Sequence, residues 1–211
     1  MLLLPADHRG LRERFAAEGY VPLPGLVPPD RLVPLRREIR RLESMAQHQE
    51  RGARGAPHPM TTLGGRLIAE ESELIPRVYH DPALIGLVRG ISELDAVPVA
   101  DPLERHVIDI LHRHDDAHGE HTHGHPLALV VFSEAPGSAR DGGLLQYAPR
   151  GTGLPAEDDE VAHRAHHRPG DAYLLRADTT AHQVTALRRT GLRRVALNFA
   201  YTTPDRQPAA R

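Results

Sequence analysis

The sequence predicts an α+β fold in which helices pack on the outside of a jelly-roll β core. Three observations carry this. Apolar residues recur at helical spacing in the first ninety or so of the 211 residues. From Arg105 onward short apolar runs alternate with Gly, Pro and Asp breaks, which is the pattern of a sandwich or barrel. Six histidines, from His112 to His125, fall within fourteen residues and lead straight into the apolar run 127–132. Such a cluster suggests metal ligands presented at the mouth of a β structure.

Taken in order, 8–18 reads as a short amphipathic helix ended by Gly19, and 20–27 as a short strand broken by prolines. From Asp30 to about Gln47 the residues Leu32, Leu35, Ile39 and Leu42 line one helical face, with arginines opposite and Asp30 as N-cap. The stretch 51–59 has no periodicity and reads as a loop. Asp81-Pro82 starts another helix, with Leu84, Leu87, Val88 and Ile91 on its apolar face. Strands follow at 107–111, 127–132, 144–147, 172–175, 183–187 and 195–201, with turns at Gly142-Gly143 and Pro169-Gly170. No repeat and no linker divides the chain. It reads as one domain, 1–211, mainly helical over 1–104, with a β core at 105–204.

Composition narrows the chemistry. There is no cysteine, which excludes disulfides, thiolate metal sites and cysteine nucleophiles. All 26 basic residues are arginine, which excludes Schiff-base and Walker-type lysine chemistry. A formal net charge of −2 gives no signal for nucleic acid or a membrane surface. No apolar stretch approaches the ~18 residues of a membrane span, and the N-terminus lacks a signal-peptide pattern, so a cytoplasmic protein is expected.

His121-Thr122-His123 is the pair that matters most. Residues two apart on a strand share a face, so both imidazoles can converge on one metal ion. His182 lies about sixty residues on, in another strand-like segment. Asp115, Asp116 and Glu120 are nearby carboxylates, but on a regular strand their distance or parity favours His121, His123 and His182 as a three-histidine set. Three protein ligands leave positions for oxygen and substrate. His163, His166 and His167, in a charged segment, read as solvated surface.

The order of motifs resembles the iron(II)/2-oxoglutarate-dependent oxygenases, in the phytanoyl-CoA-dioxygenase-like branch whose bacterial members act on amino acids in natural-product pathways. The similarity runs through 15–39, the helix after Asp81, and the central Asp116-Ala-His118-Gly119-Glu-His121-Thr-His123. It continues through Asp141-Gly-Gly143-Leu-Leu-Gln146-Tyr147, Pro169-Gly170-Asp171, His182 and Arg193-Arg194. The resemblance implies a double-stranded β-helix, iron(II) held by His121 and His182, and 2-oxoglutarate held at Gln146 and by an arginine of the last strand. Arg194 shares its strand face with Ala196 and Asn198, a polar inner wall, and is preferred to Arg193. The family carries aspartate, or glycine in its halogenating members, where this chain has His123. A filled position disfavours halogenation. The activity implied is oxidation of a C–H bond of a small polar substrate with O2, with Arg113, Asp115, Asp116, Glu120 and Tyr147 at the substrate pocket. Two alternatives stand beside it: a 2-oxoglutarate-independent three-histidine iron dioxygenase of cupin type, and a non-catalytic metal-binding relative.

Overall fold

The structure, a computed structural model, describes residues 2–5, 8–45, 60–121, 124–148, 154 and 163–207, with Glu120 and His121 described by their backbone alone. Helix α1 (His8–Glu18) ends at Gly19, whose φ of +70° turns the chain into strand β1 (Tyr20–Leu23). A Cβ at Gly19 would lie 2.2 Å from the Thr180 hydroxyl oxygen, so the turn requires glycine on two counts.

Helix α2 (Pro29–Met45) buries Leu35, Ile39 and Leu42, the face its spacing predicts. It starts one residue earlier than expected. Asp30 therefore lies in the first turn, where its charge suits the helix dipole, and does not cap it. Strand β2 (Thr61–Leu63) and two short helices, α3 (Gly65–Glu71) and α4 (Leu74–Tyr79), were not legible, because each is too short to show a period. Helix α5 (Pro82–Ser92) is capped by the Asp81 carboxylate, which accepts from the Ala83 amide at 2.9 Å. It buries Leu84, Leu87, Val88 and Ile91. The expected loop 51–59 lies outside the described residues. No helix of the described residues is long and apolar enough to cross a membrane.

The remaining strands are β3 (Val97–Pro98), β4 (His106–Leu111), β5 (His118–His121), β6 (Leu127–Glu134), β7 (Leu145–Tyr147), β8 (His163–Ala165), β9 (Ala172–Arg176), β10 (His182–Val184) and β11 (Arg194–Thr202). They form two antiparallel sheets. The larger runs β1-β9-β6-β11-β4-β2, with β3 also on β11, and the smaller runs β5-β10-β7-β8. Strands from the first half of the chain thus sit at both edges of the larger sheet, and that half is not purely helical.

The helices cover one face of the larger sheet, where Leu127, Leu129 and Val131 of β6 and Val195, Leu197 and Phe199 of β11 join Ile39, Leu42, Leu84 and Val88. Intervening residues of the same strands, Ala128, Val130, Phe132 and Ala196, point to the other face and meet Leu145 and Tyr147 of the smaller sheet. A strand covered on both sides has no polar face, which is why 127–132 reads as a continuous apolar run.

Candidate metal and co-substrate site

Between the two sheets lies a narrow cavity into which polar groups from five strands converge: Asp109 (β4), His118 (β5), Tyr173 (β9), His182 (β10), and Arg194 with Asn198 (β11). His182 is 4 % exposed. Its Nδ1 donates to the Thr180 carbonyl at 2.9 Å, which fixes the tautomer and makes Nε2 the nitrogen with the lone pair.

Strand β5 meets β10 through a bulge: His121 is the Cα partner of His182, and His118 that of Val184. Three steps on β5 match two on β10, so side-chain parity does not run unbroken along β5. The parity used above to weigh Asp116 and Glu120 against His121 does not survive this. What stands is proximity, since the backbones of His121 and His182 are direct partners. His123 lies outside the described residues. Among the described residues no group of three metal-ligating side chains is assembled.

Arg194 is 3 % exposed and stacks its guanidinium over the Phe132 ring, 4.9 Å from the centroid. Burial lowers its pKa, and the nearby Tyr173 and Asp109 offset this in part. Its Nε and the Asn198 Oδ1 are both buried without a partner among the described residues. Backbone shape makes room for it: Gly143, at φ +68°, approaches so closely that a Cβ there would lie 3.3 Å from the Arg194 Cδ. Arg193 has a different environment, bonding Glu43 at 2.7 Å and Glu134 at 3.3 Å on the outside.

The other expected site residues spread out. The Asp116 carboxylate accepts from the His112 and Arg113 amides at 2.8 and 2.9 Å, and its carbonyl accepts from the Leu187 amide. It ties the β4–β5 turn to the segment before β11 and does not line the cavity. Asp115 is exposed, with φ +69° and its carboxylate 2.7 Å from the His114 Nδ1. Arg113 is exposed, and only the backbone of Glu120 is described. Tyr147 is the Cα partner of His182, but its hydroxyl donates to Glu18 at 2.7 Å, towards α1. Gln146 is hydrogen bonded to Gln183, its neighbour on β10, at 2.7 Å, and neither lines the cavity. His125 pairs with Glu104 at 2.8 Å.

One reading of the histidines is corrected. His167 is not solvated surface: it is 6 % exposed, stacked on Phe132 at 4.5 Å and bonded to the Tyr20 hydroxyl. Burial, with Arg194 nearby, pushes its pKa down to about 3. His163 is exposed, as expected, with its ring stacked on Tyr147, and His166 bonds the Pro136 carbonyl.

Sequence reasoning missed Asp109. It is 9 % exposed, and burial pushes its pKa up to about 6 although Arg194 and a Thr62 hydroxyl at 3.3 Å pull it back. The signal was a single carboxylate inside the apolar run 107–111.

A roomier cavity of about 260 Å³ lies behind the larger sheet, lined mainly by apolar residues of α2, α4 and α5, with Arg31, Arg77 and Asp81 also on its wall. No histidine lines it.

The family model for halogenase D matches residues 3–209. No curated protein matches the sequence. Among solved structures, the fold is similar to the non-haem α-ketoglutarate-dependent epimerase SnoN of nogalamycin biosynthesis. Identity is 18 %, 94 % of this chain and 84 % of that one are covered, and the TM-score is 0.74. HygX from Streptomyces hygroscopicus, crystallised with nickel and 2-oxoglutarate, is similar at 16 % identity, 94 % and 88 % coverage and a TM-score of 0.71. A prolyl-4-hydroxylase from Pseudomonas putida is similar at 15 % identity, 93 % and 99 % coverage and a TM-score of 0.65. These share the double-stranded β-helix seen here. The chain belongs to the halogenase D family, a phytanoyl-CoA-dioxygenase-like branch of the iron(II)/2-oxoglutarate-dependent oxygenases.

Proposed function

We propose that this chain is an iron(II)- and 2-oxoglutarate-dependent oxygenase that oxidises a C–H bond of a small polar substrate, an amino acid or derivative, within a biosynthetic pathway. The observation that carries the reading is Arg194, a buried cation whose Nε has no partner among the described residues, in the same cavity as His182. A cation left unpaired in a protein interior is costly, and an anionic co-substrate supplies the missing partner.

The residues present fit the groups the family uses. His182 offers Nε2, fixed by its bond to Thr180, and His121 and His123 complete the proposed ligand set. Iron(II) with 2-oxoglutarate supplies the activation of oxygen. The chain supplies placement. Arg194 would pair with the far carboxylate of the co-substrate, its guanidinium backed by the Phe132 ring. The apolar walls at Ala128, Val130 and Ala196 limit water around the reacting groups.

The family's name raises halogenation. With His123 in place of the glycine that leaves room for a halide, the expected product gains oxygen and not chlorine, read by mass in chloride-containing buffer. The deciding experiment is anaerobic titration of iron-loaded protein with 2-oxoglutarate, followed by its metal-to-ligand charge-transfer band. A saturating band at one equivalent is expected. Iron that binds without producing the band returns the protein to the cupin-type alternative, and failure to bind iron leaves the non-catalytic one.

A further inference from the structure

Asp109 is a buried carboxylate in a cavity that otherwise suits an anion. It sits on β4 as the Cα partner of Ala196, two residues from Arg194 on the neighbouring strand. Both charged side chains line one cavity. No ion pair joins them within 4.0 Å, and among the described residues the one hydrogen bond to the Asp109 carboxylate comes from Thr62 at 3.3 Å. Two opposite charges buried in one cavity without pairing leave an opening between them that a ligand group can bridge. A carboxylate arriving at Arg194 meets a second carboxylate there, and a like charge so close raises the pKa of one of the two. One proton between them turns repulsion into a short charge-assisted hydrogen bond.

Resting on the co-substrate reading above, we propose that Asp109 is a second co-substrate-binding group, which as the neutral acid donates a hydrogen bond to the carboxylate that Arg194 holds, so that each 2-oxoglutarate bound brings one proton with it. The proton comes from solvent and is released when the co-substrate leaves. Carboxylic acids held neutral by their site to donate in this way are a known catalytic device.

The other charged or titratable groups facing Asp109 across the cavity are Arg194 on β11, Tyr173 on β9, His118 on β5 and His182 on β10. Arg194 stays charged and Tyr173, pushed up to about 12 by burial, stays neutral across the useful range. The histidines are common to wild type and an Asp109 variant, so comparing the two removes their contribution. Burial already holds Asp109 near pH 6 before any anion arrives.

Calorimetric titration of the iron-loaded protein with 2-oxoglutarate, anaerobically at pH 7.5 in two buffers of different ionisation enthalpy, counts the protons. Wild type should take up close to one proton more per co-substrate than Asp109→Asn, whose amide is a permanent donor and should bind within about threefold as tightly at that pH. Wild-type affinity should weaken nearly tenfold per pH unit above neutrality, and that of Asp109→Asn should stay flat. Equal proton counts in the two proteins overturn the proposal. So does binding to wild type with no proton uptake, which would mean an ionised Asp109 suited to the ammonium of an amino acid. Absence of any binding to the wild type overturns the co-substrate reading itself and takes the proposal with it. The wild-type count needs no variant, so a poorly folding Asp109→Asn does not spoil the test.

Discussion

The two faces of strand β11 are built for opposite ends. Val195, Leu197, Phe199 and Tyr201 point to the helices, all of them 1 % exposed or less, among apolar neighbours. Arg194, Ala196 and Asn198 point between the sheets, where a guanidinium nitrogen and an amide oxygen have no partner among the described residues. One face is where burial of apolar surface stabilises the fold; the other gives up part of that stability to keep unmet polar groups ready for a ligand. A carboxylate that burial keeps near pH 6 belongs to the second face.

Acid should break both sides together, and this is the largest effect expected. His106 lies against Tyr79 on the helix side, and His167 against Phe132 on the inner side. Burial depresses both, to about 4 and about 3. A base whose folded pKa lies below its unfolded value of about 6.5 contributes stability that is intact above pH 6.5 and is lost as pH falls towards the folded value. At ~1.4 kcal/mol per pKa unit the loss is on the order of 3 kcal/mol for each histidine. Denaturant titrations from pH 7 to pH 4 should show it, with a shallower slope in His106→Phe. A stability that stays constant over that range would mean the two rings are not held neutral by burial.

Single truncations sharpen the contrast. Leu197→Ala should destabilise the ligand-free protein by about 3 kcal/mol, since it opens a cavity in a packed layer. Asn198→Ala, its neighbour on the other face, should change stability by less than about 0.5 kcal/mol, because its oxygen bonds nothing among the described residues. Equal costs from urea unfolding would erase the distinction between the faces.

The two adjacent arginines have small effects on stability and give the sharpest split in binding. Arg194→Met should leave the ligand-free fold as stable as before or more so, yet weaken 2-oxoglutarate binding by about 2–4 kcal/mol, at least thirtyfold. Arg193→Ala should cost about 0.5–1 kcal/mol through its surface pairs with Glu43 and Glu134 and leave binding unchanged. A binding loss in Arg193→Ala in place of Arg194→Met would reverse the facing of the strand end.

By itself the sequence determined the longer helices and the strand-rich second half, because each follows from a local period of 3.6 or 2; the same period put Arg193 and Arg194 on opposite faces, and the family resemblance chose Arg194 as the inward one. The run 127–132 was legible as a strand for the same reason, though not which residues faced which layer. Tertiary structure decided what no period encodes. The bulge on β5 replaced a parity argument with the direct pairing of His121 and His182. Asp116 was claimed by backbone amides three and four residues back, and the Tyr147 hydroxyl by Glu18, 129 residues away in sequence. His167, read as surface from its charged neighbours, was buried by Phe132, Tyr20 and Tyr173 from three other strands. Asp109 became a cavity group only when β4 paired with β11. A side chain's type and spacing are local properties, but its partner and its exposure depend on which distant strand arrives beside it. That is why the kind of site could be read from the chain and the identity of several of its groups could not.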